Sequence, residues 1–516
     1  MPNHLFALMR DRMPADDRTF IETPAVEESG SPSRVMTYGD AVALSSRMAN
    51  LLIRRGVQPG DRVAVQLEKS AEAIVLYLAC LRAGAVYLPL NTAYTLTELD
   101  YFLGDAEPRV VVCAPSAREA LEPLARSKGV AAVETLGTDG TGSLMDGAAA
   151  CGTGFTDVER GPDDLAAILY TSGTTGRSKG AMLSHDNLAS NALTLAGSWR
   201  FSPDDVLLHA LPIFHTHGLF VATNVTLMAG SSLIFVSRFD ADTMLRLMPR
   251  ATVMMGVPTF YVRLLQHPGL TRDAVSHMRL FVSGSAPLLA ETHDAWAERT
   301  GHRILERYGM TETNMNTSNP YDGDRIAGTV GPALPGITVR VTEPDSGRPL
   351  PGGEIGMIEV KGPNVFKGYW RMPEKTAAEF RPDGFFITGD LGKIDGSGYV
   401  HIVGRGKDLV ITGGYNVYPK EVEVEIDALP GVVESAVIGV PHADFGEGVT
   451  ALVVRRPGAD IDERAVLQAL EGRLAKYKQP KRVLFVDELP RNTMGKVQKN
   501  LLRDANKDLY ARAKTG

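Results

Sequence analysis

The sequence predicts an α/β protein: a large N-terminal domain of layered α/β sheets that includes a β-rich stretch, followed by a small α+β domain. Three observations carry this. Apolar runs of strand length alternate with helix-periodic segments as far as about residue 330. Between about 330 and 405, short alternating segments are broken by glycine and proline, the texture of hairpins. From 406 to 516, helical and strand patterns mix over a length suited to one small domain. A chain of 516 residues is also too long for a single core.

Taken in order, "YGDAVALSSRMANLLIRRG" (38–56) places apolar residues at helical spacing and stops at Gly56. "DRVAVQL" (61–67) reads as a strand, and "AEAIVLYLACLRAG" (71–84) as a helix ended by Gly84. "AVYLPL" (85–90) and "RVVVC" (109–113) are apolar throughout, as strands covered on both faces of a largely parallel sheet must be. The alternation continues through "DDVLLHALPI" (204–213), "GSSLIFV" (230–236), "ATVMMGVP" (251–258) and "RLFVSGSAPL" (279–288). Residues 337–370 read as hairpins. In the last stretch "KEVEVEIDAL" and "RAVLQALEGRL" read as helices, and "ESAVIGV", "TALVVR" and "KRVLFVDEL" as strands. "TLGTDGTGS" (135–143) reads as a surface loop.

Composition narrows the function. Hydrophobic content of 44% and charged content of 22% are those of an ordinary globular chain. A net charge of −7 argues against nucleic acid as a partner. Cys80, Cys113 and Cys151 form no C-x-x-C pattern and read as buried free thiols, which suits a reducing compartment. Neither a cleavable leader nor an apolar run of membrane-spanning length is visible. The expectation is a cytoplasmic protein with no membrane partner.

The chemistry concentrates in five motifs. "YTSGTTGRSKG" (170–180) combines glycines, hydroxyls and the cation Lys179, the means by which a loop cradles an oxyanion such as polyphosphate. Its spacing is not that of a P-loop. Each of the other four has a plain reading. "ERYGMTET" (306–313) could be a helix end stopped by Gly309, "TGD" (388–390) a turn, "GRGKDLVITGGYNVYP" (404–419) a hairpin, and "LPRNTMGKVQK" (489–499) a solvated basic tail.

In this order, the five motifs resemble those of the adenylate-forming superfamily of acyl-CoA synthetases, peptide-synthetase adenylation domains and luciferases. The resemblance spans nearly the whole chain. It implies a mobile C-terminal domain and two half-reactions: a carboxylate attacks the α-phosphate of Mg·ATP, and a thiol then displaces AMP. By resemblance, Lys496 bridges the carboxylate and the α-phosphate, and Glu312 binds Mg²⁺ together with Thr171. Thr171, Ser172, Gly173, Thr174, Thr175, Gly176 and Lys179 hold the phosphates. Tyr308 faces adenine opposite Gly284, Ser285 and Ala286, within the nucleotide-binding run Glu306, Arg307, Tyr308, Gly309, Met310 and Thr311. Asp390 and Arg405 reach the ribose. Lys407 is the hinge, dividing 1–405 from 406–516, and Gly413, Gly414 and Tyr415 serve the thioester step with coenzyme A.

Peptide-synthetase domains place an aspartate where this chain has His215 and Thr216, so an amino-acid substrate is disfavoured, and no carrier domain follows. Two arginines, Arg263 and Arg307, fall in segments expected to build the acyl pocket, and a guanidinium matches a carboxylate in bidentate geometry. An internal salt bridge or a surface position is the plain alternative for each. The closest resemblance is to malonyl-CoA synthetases. It implies that Arg263, Ser285 and Arg307 bind the distal carboxylate of malonate, with His215 at the pocket wall. Thr216 and Met315 would flank C2, making methylmalonate a poorer substrate. The alternatives are a short-chain monocarboxylate ligase, a phosphate-binding regulatory NTPase and a non-catalytic relative; oligomeric state is left open.

Overall fold

The computed structural model describes residues 2–25, 33–171, 178–412, 415–442, 444–471, 473–492 and 495–511. Two largely parallel sheets form the first large body. One has six strands in the order Ala132–Thr135, Val110–Cys113, Arg62–Gln66, Val86–Pro89, Leu165–Thr171, Lys179–Ser184, the last antiparallel to its neighbour. The other has eight and runs from Asn314–Ser318 through Leu305–Met310, Leu280–Ser283, Val253–Gly256, Val206–His209, Ser232–Phe235 and Thr19–Thr23 to Arg34–Thr37. Only its two edge pairs are antiparallel.

The inner faces of both sheets share one apolar core with the helices Tyr38–Arg54, Ala71–Arg82 and His185–Ser198. Ala71–Arg82 buries all twelve of its residues, because a helix between two sheets has no solvent side. The outer face of the six-stranded sheet packs on Leu99, Phe102 and Leu121, and that of the eight-stranded sheet on Met244, Tyr261 and Trp296. The result is five layers, helix–sheet–helix–sheet–helix. No described helix is long and apolar enough to cross a membrane.

A four-stranded antiparallel sheet follows, Thr338–Thr342, Gly356–Lys361, Phe386–Ile394 and Val400–Arg405. After the turn Gly406–Asp408, a last sheet gathers Val410–Thr412, Tyr415–Val417, Val432–His442, Gly446–Arg455 and Arg482–Val486 over its own core of Val422, Ile426, Val437 and Val449.

Two plain readings are corrected. Residues 305–310 form a strand rather than a helix end; its chain reverses through 311–313 to pair antiparallel with Asn314–Ser318. The 388–390 segment is not a free turn but lies inside the strand Phe386–Ile394. Both segments pair with a strand on each side, and the sheet overrides the local turn preference of glycine and threonine.

Candidate active site

The hairpin 305–318 delivers most of the site. Its tight closure depends on Gly309, where a Cβ would collide with the Asn314 carbonyl. A register shift between Tyr308 and Gly309 turns the strand here. The Tyr308 hydroxyl donates to Asp390 Oδ2 at 2.5 Å, and Arg405 Nε lies 2.7 Å from Asp390 Oδ1. Asp390 and Arg405 are register partners on adjacent strands, so the sheet itself sets this pair. Tyr308, Asp390 and Arg405 are therefore brought together from three strands. Glu306 points the other way: it is buried, accepts from the Leu288 amide at 3.1 Å, and burial pushes its carboxyl up to about 8.

Glu312, just past the strand, is 6% exposed, and burial raises its pKa. The Tyr369 hydroxyl stands between two carboxylates, 3.1 Å from Glu312 Oε1 and 2.6 Å from Glu379 Oε2. Lys179 pairs with Glu379 at 3.0 Å and sits opposite Thr171 in the register of the two strands flanking the loop. Ser172, Gly173, Thr174, Thr175 and Gly176 lie outside the described residues. Mg²⁺ needs one or two protein carboxylates besides substrate phosphates, and the buried Glu312 carboxylate suits that demand.

Near Tyr308 and Asp390 lies a cluster of buried polar groups, several lacking partners. Arg307 is 3% exposed, and its Nε and Nη2 have no hydrogen-bond partner. Its guanidinium packs where a side chain on Gly284 would sit. Desolvation pushes its pKa down to about 9, so it remains a cation near neutrality. Thr216 Oγ1 and His217 Nε2 are buried and likewise unpaired. Ser285, held in the left-handed region at φ 72°, lies 3.2 Å from His217 Nδ1. Burial, Lys496 and Arg307 together push His215 down to about 4, so its ring is neutral in the physiological range. Met315 is buried, and Asn191 clamps its backbone on both sides at 2.8 and 3.2 Å.

Arg263 differs from the expectation of an enclosed cation. It is exposed, near the end of the helix Pro258–Gln266, and pairs with no described residue. That helix turns Tyr261 and Leu264 inward, which leaves Arg263 on the solvent side. Of the two arginines, only Arg307 is enclosed.

The basic segment 489–499 is not a solvated tail. A Cβ on Gly495 would touch Thr259 at 3.3 Å, so the loop carrying Lys496 lies against the helix Pro258–Gln266. The Lys496 chain keeps contact with solvent, yet crowding around its ammonium, then Arg405, lower its pKa to about 8, with Asp390 and Glu312 within electrostatic reach. Arg456 bridges to Glu291 at 2.7 Å beside the same junction. Lys407 is exposed in the turn Gly406–Asp408. Gly413 and Gly414 lie outside the described residues; Tyr415 is 58% exposed and stacks on Tyr477 at 4.7 Å.

Sequence reasoning missed Tyr369, Glu379 and Asn191, and left His217 without a role. Tyr369 sits in a stretch that reads only as hairpin texture, and Asn191 lies in a helix 124 residues from its partner Met315. His217 had a signal, being the residue after Thr216 and two from His215 in an otherwise apolar run.

A family model described as AMP-binding enzyme matches residues 14–370, and one described as AMP-binding enzyme C-terminal domain matches residues 421–496. The chain superposes on ATP-bound MatB from Rhodopseudomonas palustris with a TM-score of 0.96 at 68% identity, covering 99% of this chain and 100% of that one. Against apo MatB from the same organism, identity and coverage are unchanged but the TM-score is 0.85. Feruloyl-CoA synthase from Amycolatopsis sp is 38% identical over 93% of this chain and 95% of that protein. The mitochondrial malonate–CoA ligase of Mus musculus is 34% identical over 95% of this chain and 92% of that protein. With site, fold and both family models in agreement, the chain belongs to the AMP-binding enzyme family.

Proposed function

We propose that the protein is an ATP-dependent malonate–CoA ligase, converting malonate, ATP and coenzyme A to malonyl-CoA, AMP and diphosphate through a malonyl-adenylate. Its relatives act on different acids by name, feruloyl-CoA synthase and malonate–CoA ligase among them, so overall likeness does not choose the substrate. The pocket does. The observation that carries the reading is Arg307, a buried cation with unpaired N–H groups beside Ser285, Thr216 and His217. A monocarboxylate would leave that charge uncompensated, which costs several kcal/mol. The second carboxylate of a short diacid compensates it. Met315 and Thr216 at the wall limit branching at C2, and a methyl group there changes discrimination by about 1–3 kcal/mol.

In the first half-reaction a carboxylate must approach a polyanion, so positive charge is needed where negative charge gathers. Lys496 meets that need at the α-phosphate and Lys179 at the outer phosphates. Mg²⁺, when bound at Glu312, supplies further neutralisation of the phosphate oxygens. Tyr308 offers its ring to adenine, while Asp390 accepts from the ribose hydroxyls and is held by Arg405. We place the domain boundary at 405/406, with Lys407 as hinge. Proximity of Lys496 to the site, with Tyr415 facing solvent, supports reading this arrangement as the adenylate-forming one; a swing about Lys407 would then bring Gly413, Gly414 and Tyr415 to the thioester step. All three cysteines are free and buried, which suits a reducing, cytoplasmic setting.

The test is diphosphate release with ATP, Mg²⁺ and coenzyme A across acetate, propionate, malonate, methylmalonate and succinate. Malonate should dominate, methylmalonate follow, and acetate stay near background. Acetate or propionate at the malonate rate would return Arg307 to a structural role and leave a general short-chain ligase. ADP and orthophosphate as products would point to an NTPase instead.

A further inference from the structure

Lys179 closes the phosphate loop and opens the strand Lys179–Ser184. Its ammonium is already held. Glu379 Oε1 lies 3.0 Å from Lys179 Nζ and 2.8 Å from Lys375 Nζ. The other Glu379 oxygen is 2.6 Å from the Tyr369 hydroxyl. Lys179 Nζ also stands 4.1 Å from the centroid of the Tyr369 ring. Glu379 itself comes from the C-terminal end of the helix Pro373–Ala378, far along the chain. The Lys179 and Glu379 side chains are 18% and 21% exposed, so the pair is mostly shielded from water.

We propose that Glu379 is a positioning residue for the nucleotide, aiming the Lys179 ammonium at the outer phosphates of ATP before ATP arrives. A lysine has a flexible four-carbon stem, and fixing it beforehand removes an ordering cost from binding. An ammonium carries three N–H donors. One is used by Glu379 and one face lies over the Tyr369 ring, which leaves donor capacity for a phosphate oxygen. Because Lys375 shares the same carboxylate, the group keeps a net positive charge toward a polyanion. The Tyr369 hydroxyl, 2.6 Å from Glu379 and 3.1 Å from Glu312, brings this assembly against the carboxylate read as the metal ligand. The inference rests on reading 171–179 as the phosphate loop.

The experiment measures binding of Mg·ATP and of AMP by calorimetry, without malonate, for wild type, Glu379→Ala, Glu379→Gln, Lys179→Ala and the double variant Lys179→Ala/Glu379→Ala. AMP lacks the outer phosphates. Glu379→Ala should weaken ATP about tenfold while changing AMP less than about twofold. Glu379→Gln keeps one acceptor oxygen for the two lysines while losing the charge, and should lose only about threefold. In the Lys179→Ala background, Glu379→Ala should cost nothing more, and the KM values for malonate and coenzyme A should hold. Equal losses for ATP and AMP, unchanged or tighter ATP binding by Glu379→Ala, or additive losses in the double variant would each overturn the role. If Lys179→Ala itself leaves ATP affinity intact, the phosphate-loop reading fails, and the role of Glu379 fails with it.

Discussion

A guanidinium buried without a counter-ion costs a folded chain several kcal/mol, and replacing such a group by an apolar one of similar size is often stabilising. Arg307 is in that state, with Nε and Nη2 unpaired. Arg307→Met should therefore raise the stability of the ligand-free protein by about 1–4 kcal/mol, read from urea midpoints. The same change should raise the KM for malonate on the order of a hundredfold, since a buried charge partner is lost, while the KM for ATP moves far less. A matched rise in both KM values would assign Arg307 to the nucleotide. Arg263 and Arg307 look alike in the sequence, as single cations in segments read as pocket walls. They part because Arg263 is on the outer side of a helix whose Tyr261 and Leu264 are buried, whereas Arg307 faces Gly284 from a strand.

The hairpin 305–318 carries Tyr308, Glu312 and Met315 to three parts of the site within one element. Its closure leaves no room at Gly309, where a Cβ would strike the Asn314 carbonyl and the Met315 side chain. Gly309→Ala should destabilise the protein by about 3 kcal/mol or more and abolish adenylate formation, measured by thermal melting and diphosphate exchange. Wild-type stability in that variant would mean that the hairpin opens freely and does not set the site. The motif itself was legible as a functional unit, but its strand geometry was not. Glycine and threonine favour turns locally, and pairing with Asn314–Ser318 decides otherwise.

At the scale of the whole chain, the C-terminal stretch lies against the large body. Gly495 lies against Thr259, and Arg456 reaches Glu291 at 2.7 Å. The superposition is nearer ATP-bound than apo MatB at equal identity, so the difference is one of arrangement rather than sequence. Lys496→Ala should abolish adenylate formation yet spare the conversion of pre-made malonyl-AMP to thioester; loss of both together would remove the two-arrangement reading. The pH dependence has a definite sign. Crowding and Arg405 disfavour the Lys496 ammonium, lowering its pKa to about 8. The protonated form is therefore lost as pH rises through that value, and kcat/KM for adenylation should decline above about pH 8 while the thioester step does not follow it. Identical profiles for the two half-reactions would assign that limb to another group.

By itself the sequence determined the layered α/β class, the shift to hairpins after about residue 330, and the five motifs whose order carries the family resemblance. These depend on periodicity and on spacing along a short length of chain, which a linear reading preserves. Only the tertiary structure decided that Arg307 is enclosed and Arg263 is not, that Tyr369 and Glu379 join Lys179 to Glu312, and that Lys496 lies at the site. Each of those rests on contacts between residues tens to hundreds of positions apart. Burial and charge pairing belong to the packed chain, so no local pattern carries them.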